Sequence, residues 1–234
     1  MNILAIDLST SAGRVACLQD EDLLVAADVP PSQRSAAVLF ETLEAARNKA
    51  GWSRWTNVDL YAAGRGPGRY SGMRVALTAV QHLALPGNNP VRAIDSGAAL
   101  AAEWAANTPD TSSIWVLGDA RRERVWRGVF DRTPRGHMQQ TDDWSLLPIA
   151  TCIDHFQQLR DTNSPLLISS EWDRLLPHLA EHGWSESAST LKRIDASPSA
   201  AWIGRLAYRE QRSNQSPAPP VPIYLHPAVA TQPK

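Results

Sequence analysis

The sequence predicts an α/β fold made of one lobe built twice. An apolar strand that ends in aspartate occurs near the start, Ile3-Leu4-Ala5-Ile6-Asp7, and again at mid-chain, Ile114-Trp115-Val116-Leu117-Gly118-Asp119. Each is followed by a turn, further strands, and then alternating helices and strands. A chain of 234 residues is long enough for two such lobes, each with its own core.

Ile3 to Ile6 is a short apolar run and reads as a buried strand. The stretch Asp7-Leu8-Ser9-Thr10-Ser11-Ala12-Gly13 is a cluster of turn formers. Arg14 to Leu18 then alternates, with Val15 and Cys17 on one face, and Leu23 to Val29 forms a third strand beyond the turn Asp20-Glu21-Asp22. The chain therefore opens on a meander of three antiparallel strands. Pro30-Pro31-Ser32 breaks the sheet and offers a helix N-cap. Val38, Leu39, Leu43 and Ala46 recur at helical spacing over 35–50. Val58 to Ala63 reads as a strand, the glycine-rich stretch 64–68 as a turn, and Ser71 to Leu85 as a helix. Val91 to Asp95 is a short strand, and Ser96 caps a helix that runs to Asn107. Thr108-Pro109-Asp110 marks the lobe boundary.

In the second half, Ala120-Arg121-Arg122-Glu123 is the turn and Arg124 to Phe130 the next strand, with a third near Trp144 to Leu147. Ile153 to Leu159 and Trp172 to His182 read as helices around a strand at Leu166 to Ser169. Ser197-Pro198 opens a last helix, with proline at its first position, carrying Ala201, Ile203, Leu206 and Ala207. The expected divisions are a first lobe over 1–108, a second over 109–215 and an extended, proline-rich tail over 216–234. This element order is the plan of the actin-like, Hsp70-like and sugar-kinase-like ATPase (ASKHA) fold.

Composition narrows the function. The net charge of −1 gives no global attraction to nucleic acid or anionic membrane. The two cysteines, Cys17 and Cys152, exclude a disulfide framework and a CxxC metal site. The start has no basic leader, and no run approaches the about 18 apolar residues of a membrane span, so a cytoplasmic protein is expected. The nine tryptophans, scattered from Trp52 to Trp202, read as packing residues, because base-stacking platforms come with a basic groove.

The motifs argue against catalysis by this chain. In an active ATPase of this plan, glycine beside Ser or Thr lets backbone N–H groups approach phosphate. Leu8 takes that place in the first turn, and the second turn carries Arg121 and Arg122 with no glycine. The stretch Gly64-Arg65-Gly66-Pro67-Gly68-Arg69-Tyr70-Ser71-Gly72 is one residue short of a Walker loop, and Met73-Arg74 follows where Lys-Ser/Thr belongs. It has two readings: a strand-to-helix turn capped by Ser71, or a loop that contacts a ligand or partner through Gly66, Gly68, Tyr70, Ser71, Gly72 and Arg74. His178 and His182 are four apart but lack the glutamate of HExxH, and Ser96-Gly97 lacks the first glycine of a nucleophile elbow. No catalytic residue, metal or cofactor is expected.

The helix after the glycine-rich turn is apolar on two faces. Met73, Ala76, Leu77, Val80, Leu83 and Ala84 form one stripe, and Val75 and Ala79 extend it. Such a helix is either fully internal or packs one face on another subunit. On the second reading, Met73, Ala76, Leu77 and Val80, with Leu39 and Leu43, are the candidate contacts. Arg121, Arg122, Arg124 and Arg127 read as a solvated hairpin, with contact to RNA as the alternative.

Four segments resemble the TsaB (YeaZ) family, in the family's order: Ile3 to Thr10, Gly64 to Arg74, Leu117 to Arg122, and Pro222-Ile223-Tyr224-Leu225, which is similar to its C-terminal Pro-x-Tyr-Leu signature. The sequence departs from the family's usual Gly-Ser-Phe-Thr-Gly at Gly68-Arg69-Tyr70-Ser71-Gly72, and reads Pro31 to Ser35 where a histidine is common. The resemblance implies an actin-like fold with no working active site. It implies a part in placing threonylcarbamoyl on the adenosine beside the anticodon of tRNAs that read A-starting codons. The implied partners are a TsaD-like catalytic subunit, which holds the metal and nucleotide, and a TsaE-like ATPase. Docking through first-lobe helices is implied, and the same surface is expected to self-associate into a homodimer when the partner is absent. Two rival expectations stand beside it, an ATP-dependent kinase or transferase of the same fold and a lone protein-binding module. An older view of such chains as glycoproteases finds no nucleophile or metal site here.

Overall fold

The computed structural model describes residues 1–30, 36–159, 164–185 and 191–226. The first lobe runs β1 (Asn2–Asp7), β2 (Gly13–Gln19), β3 (Asp22–Val29), α1 (Ala36–Lys49), β4 (Leu60–Gly64), α2 (Tyr70–Ala84), β5 (Val91–Ile94) and α3 (Ser96–Asn107). The second runs β6 (Ser113–Asp119), β7 (Arg124–Arg132), β8 (Met138–Pro148), α4 (Ile149–Gln158), β9 (Leu166–Ser169), α5 (Trp172–Glu181), β10 (Arg193–Asp195) and α6 (Ala200–Arg212). The two sheets have matching orders, β3-β2-β1-β4-β5 and β8-β7-β6-β9-β10. In each, the opening strands pair antiparallel and the rest pair parallel. This is the duplicated ASKHA plan expected from the element order.

The central strands are buried on both faces, which is why they read as unbroken apolar runs. In β1, Leu4 and Ile6 face the core beneath α1 and α2, while Ile3 and Ala5 face the core beneath α6. In β6, Trp115 and Leu117 face α4 and α5, while Ile114 and Val116 face α3.

The third helices are exchanged between the lobes. α3 packs on β6, β7 and β8, and α6 packs on β1, β2 and β4. The two helices also touch each other. The last helix, expected within a second lobe over 109–215, thus completes the first lobe's core through Ala200, Ile203 and Ala207. Its sequence stripe marks a buried face without marking which sheet covers it.

Other expectations shift at element ends. α2 begins at Tyr70 with Arg69 as its extended N-cap, so Ser71 lies inside the helix and caps nothing. Asp95, not Ser96, occupies the N-cap of α3. Ser199 precedes α6, which leaves Pro198 outside the helix. β8 is longer than the expected Trp144 to Leu147, α4 starts at Ile149, and the three-residue β10 is too short for any periodicity to reveal. The expected N-cap at Ser32 and the stretch Pro31 to Ser35 lie outside the described residues.

Candidate functional site

The first turn is sealed by the chain's own glycine-rich loop. Asp7, at the end of β1, is fully buried. Its Oδ1 accepts from Ser9 N–H at 2.9 Å and Ser9 Oγ at 2.7 Å, and its Oδ2 accepts from Ser96 Oγ at 2.6 Å. Burial pushes its carboxyl above the usual range, against the opposing pull of Ser96, Ser9 and Arg14. Loop 65–69 and the first turn of α2 lie directly on this turn. Arg69 N–H donates to the Ser9 carbonyl at 2.6 Å. A Cβ at Gly68 would overlap the Ser9 carbonyl oxygen, and one at Gly72 would overlap that of Leu8. Those glycines permit backbone to approach backbone, in the place where a phosphate-binding turn would stay open.

The second turn is closed differently. Asp119 N–H donates to Glu171 Oε2 at 3.0 Å. Asp119 Oδ1 accepts from Arg121 N–H at 2.8 Å, and its Oδ2 lies 3.1 Å from Arg121 Nη1. Arg121, Arg122 and Glu123 follow at φ of +63°, +52° and +57°. Three consecutive side-chain-bearing residues in the left-handed region cost about 1–2 kcal/mol each. Burial raises the Glu171 carboxyl against the opposing pull of the Asp119 N–H bond, and the Asp119 charge adds to the rise while Arg174 and Arg121 counter it. Two carboxylates stand where this hairpin would meet phosphate, so the turn disfavours a polyphosphate.

Between the turns lies a cavity of about 710 Å³. Gly68, Arg69 and Tyr70 line it from the first lobe, and Asp119, Arg121 and Glu171 from the second. The tail, expected as an extended segment, supplies a further wall. Ile223 N–H donates to the Arg65 carbonyl at 2.9 Å, the Tyr224 ring sits 5.1 Å from that of Tyr70, and His226 Nε2 meets the Ala120 carbonyl at 2.7 Å. The Pro-x-Tyr-Leu segment, together with the His226 that follows it, therefore touches both lobes. Of the other loop candidates, Gly66 donates its N–H to Ser96 Oγ at 3.1 Å, while Gly66, Ser71 and Gly72 do not line the cavity.

The six proposed interface residues require correction. Met73, Ala76, Leu77, Val80, Leu39 and Leu43 are all buried in the first lobe's own core. Their stripe packs on the sheet, so it is not a free face. Apart from Tyr70 at the start of α2, the exposed large apolar side chains of these helices are Phe40, at 43% exposure, and Val75, at 45%. They flank a groove of about 480 Å³ between α1 and α2, lined also by Arg74, Thr78, Ala79 and His82, with Leu39 reaching it from the core. Arg74 Nη1 donates to Tyr70 OH at 2.9 Å and so links groove to cleft. The polar residues Arg74, Thr78 and His82, spaced four apart, mark this outward face in the sequence.

Arg127 is also misplaced by the sequence reading. It is 8% exposed, stacks on Trp115 and bonds Asp142, so it is not part of an exposed basic turn. Among the described residues, no three His, Cys, Asp or Glu side chains gather in a metal-binding group, and no helix is long and apolar enough to cross a membrane. Cys17 and Cys152 are buried free thiols, each pushed up to about 12 by burial.

Residues 31–143 match the family model described as TsaD, tRNA N6-adenosine threonylcarbamoyltransferase. The tRNA threonylcarbamoyladenosine biosynthesis protein TsaB of Escherichia coli is 28% identical over 145 residues. That alignment covers 61% of this chain and 61% of the relative's length. Two solved structures from Pseudomonas aeruginosa are similar over 96% of this chain and 99% of theirs. One, described as YeaZ, has 23% identity and a TM-score of 0.72; the other, described as an uncharacterized protein similar to peptidase YEAZ, has 24% and 0.70. At such identity these two speak for the fold.

Proposed function

We propose, from its similarity to a TsaB protein and to the TsaD family model, that this chain is a non-catalytic subunit in tRNA threonylcarbamoyladenosine biosynthesis that docks on a TsaD-type partner and activates it. The observation that carries this reading is the exposed apolar groove between α1 and α2, with Phe40 and Val75 on its rim. Exposed apolar surface set in a groove is where helices of another subunit gain most by burial. The sealed first turn and the carboxylate-lined second turn support the non-catalytic part, since neither offers phosphate the backbone donors it needs.

Docking acts on the partner by population shift: the chain binds the competent conformation more tightly than the idle one. The modified base is the adenosine beside the anticodon of tRNAs reading A-starting codons, and a TsaE-type ATPase joins the complex in the cytoplasm. Without its partner, the same groove supports a homodimer.

The test is co-purification with the TsaD-type protein of the same organism, with light scattering of the complex. Threonylcarbamoyl transfer to tRNA is then measured with and without this chain. A complex on which transfer depends is the expected result. Transfer at full rate without the chain overturns the activating role. ATP turnover by the isolated chain would instead favour a kinase or transferase, and failure to bind any such partner would favour a lone binding module.

A further inference from the structure

We propose that the cleft between the lobes binds a small flat-ringed carboxylate, a site separate from the docking groove, with which it shares no lining residue. The cavity of about 710 Å³ falls within the range of about 300–1,000 Å³ typical of small-molecule sites.

Its walls favour a ring. Tyr70 and Tyr224 remain 55% and 52% exposed although each stacks on the other. Trp126 and Ile223 add apolar surface around them. Half-exposed aromatic rings inside a concavity are surfaces on which a third flat group gains stacking and burial.

Its charges favour a single negative group. Asp119 is paired with Arg121 at 3.1 Å, and Glu171 with Arg174 at 3.3 Å. Arg69 also lines the cavity and pairs with no carboxylate among the described residues. Two neutralised pairs and one spare guanidinium leave the cleft one positive charge. Arg69 is the N-cap of α2 and Glu171 that of α5, so the positive ends of two helices add to it, and neither N-cap makes a side-chain capping bond. A planar guanidinium accepts a carboxylate through two parallel hydrogen bonds. A polyphosphate is disfavoured, because the first turn is filled by loop 65–69 and the first turn of α2, and the second presents Asp119 and Glu171.

The probe is indole-3-acetate, titrated into the full chain by calorimetry, with neutral indole-3-acetamide and ATP as comparisons. The expected result is saturable binding of the acid and at least tenfold weaker binding of the amide and of ATP. Arg69→Gln, an exposed change that keeps the fold, should weaken the acid at least tenfold and leave the amide unchanged; thermal melting verifies the fold. Tyr224→Phe should preserve binding and Tyr224→Ala should lose it. The proposal is overturned if the acid shows no saturable binding up to about 10 mM, if acid and amide bind alike, or if Arg69→Gln changes nothing. Partner docking is measured separately, so loss of either result leaves the other standing.

Discussion

Ser96 Oγ donates a 2.6 Å hydrogen bond to Asp7 Oδ2, joining the first residue of α3 to the last residue of β1. The bond holds a carboxyl that is fully buried and whose proton is retained more tightly in the folded state than in the unfolded one. The sign of the pH effect follows. Between the unfolded value near 3.8 and the raised folded value, the folded chain binds more protons, so stability falls as pH rises through that window. Asp7→Asn has no such proton. The stability of the variant relative to the parent should therefore increase with pH across the window. Urea midpoints of both proteins from pH 4 to 7 check this; parallel curves would sink it.

The two faces of α2 give opposite variants. Val75 is 45% exposed on the groove, whereas Ala76 has no exposure and packs in the core. Val75→Arg should change stability by no more than about 0.5 kcal/mol and abolish partner docking. Ala76→Arg should cost about 3 kcal/mol or more, because it forces a charge and added volume into packed space. Thermal melting separates the pair, and co-elution with the TsaD-type partner then tests Val75→Arg alone. Docking that survives Val75→Arg removes the groove from the interface.

That contrast shows what was legible in the sequence. The repeated strand-to-aspartate hairpins were readable because β1 and β6 are buried on both faces and must be apolar throughout. The stripe of Met73, Ala76, Leu77 and Val80 was readable as buried, but a core and a subunit interface ask for the same residue types. Only the outward Arg74, Thr78 and His82 tell which side faces away. The exchange of α3 and α6 was hidden because an apolar stripe does not name the sheet it meets. The docking of the tail was hidden for a different reason: its hydrogen bonds end on the carbonyls of Arg65 and Ala120, and backbone acceptors leave no mark in a sequence.

Gly72 has its place through steric fit. It lies in the first turn of α2, where alanine is ordinarily the better residue. Here an added methyl would overlap the Leu8 carbonyl oxygen, a backbone atom that cannot swing aside. Gly72→Ala should cost about 1–3 kcal/mol instead of stabilising the helix. A lowered urea midpoint with an unchanged slope is the expected reading, and a raised midpoint would show that loop and turn part easily.

The tail makes the last prediction. Ile223 bonds Arg65 of the first lobe, Tyr224 stacks on Tyr70, and His226 bonds Ala120 of the second. Deleting 216–234 removes both lobe contacts at once, while α6, which ends at Arg212, keeps its place on the first sheet. The stacked pair contributes about 0.5–1.5 kcal/mol beyond burial, and each lost hydrogen bond about 0.5–1.5 kcal/mol. The truncated chain should fold, with stability reduced by about 2–4 kcal/mol. Amide hydrogen exchange should accelerate in 65–70 and 119–124, on the two sides of the cleft, and not in β1 or β6. Uniform acceleration would mean the tail supports the whole fold; no change at either side would mean it does not bridge the lobes in solution.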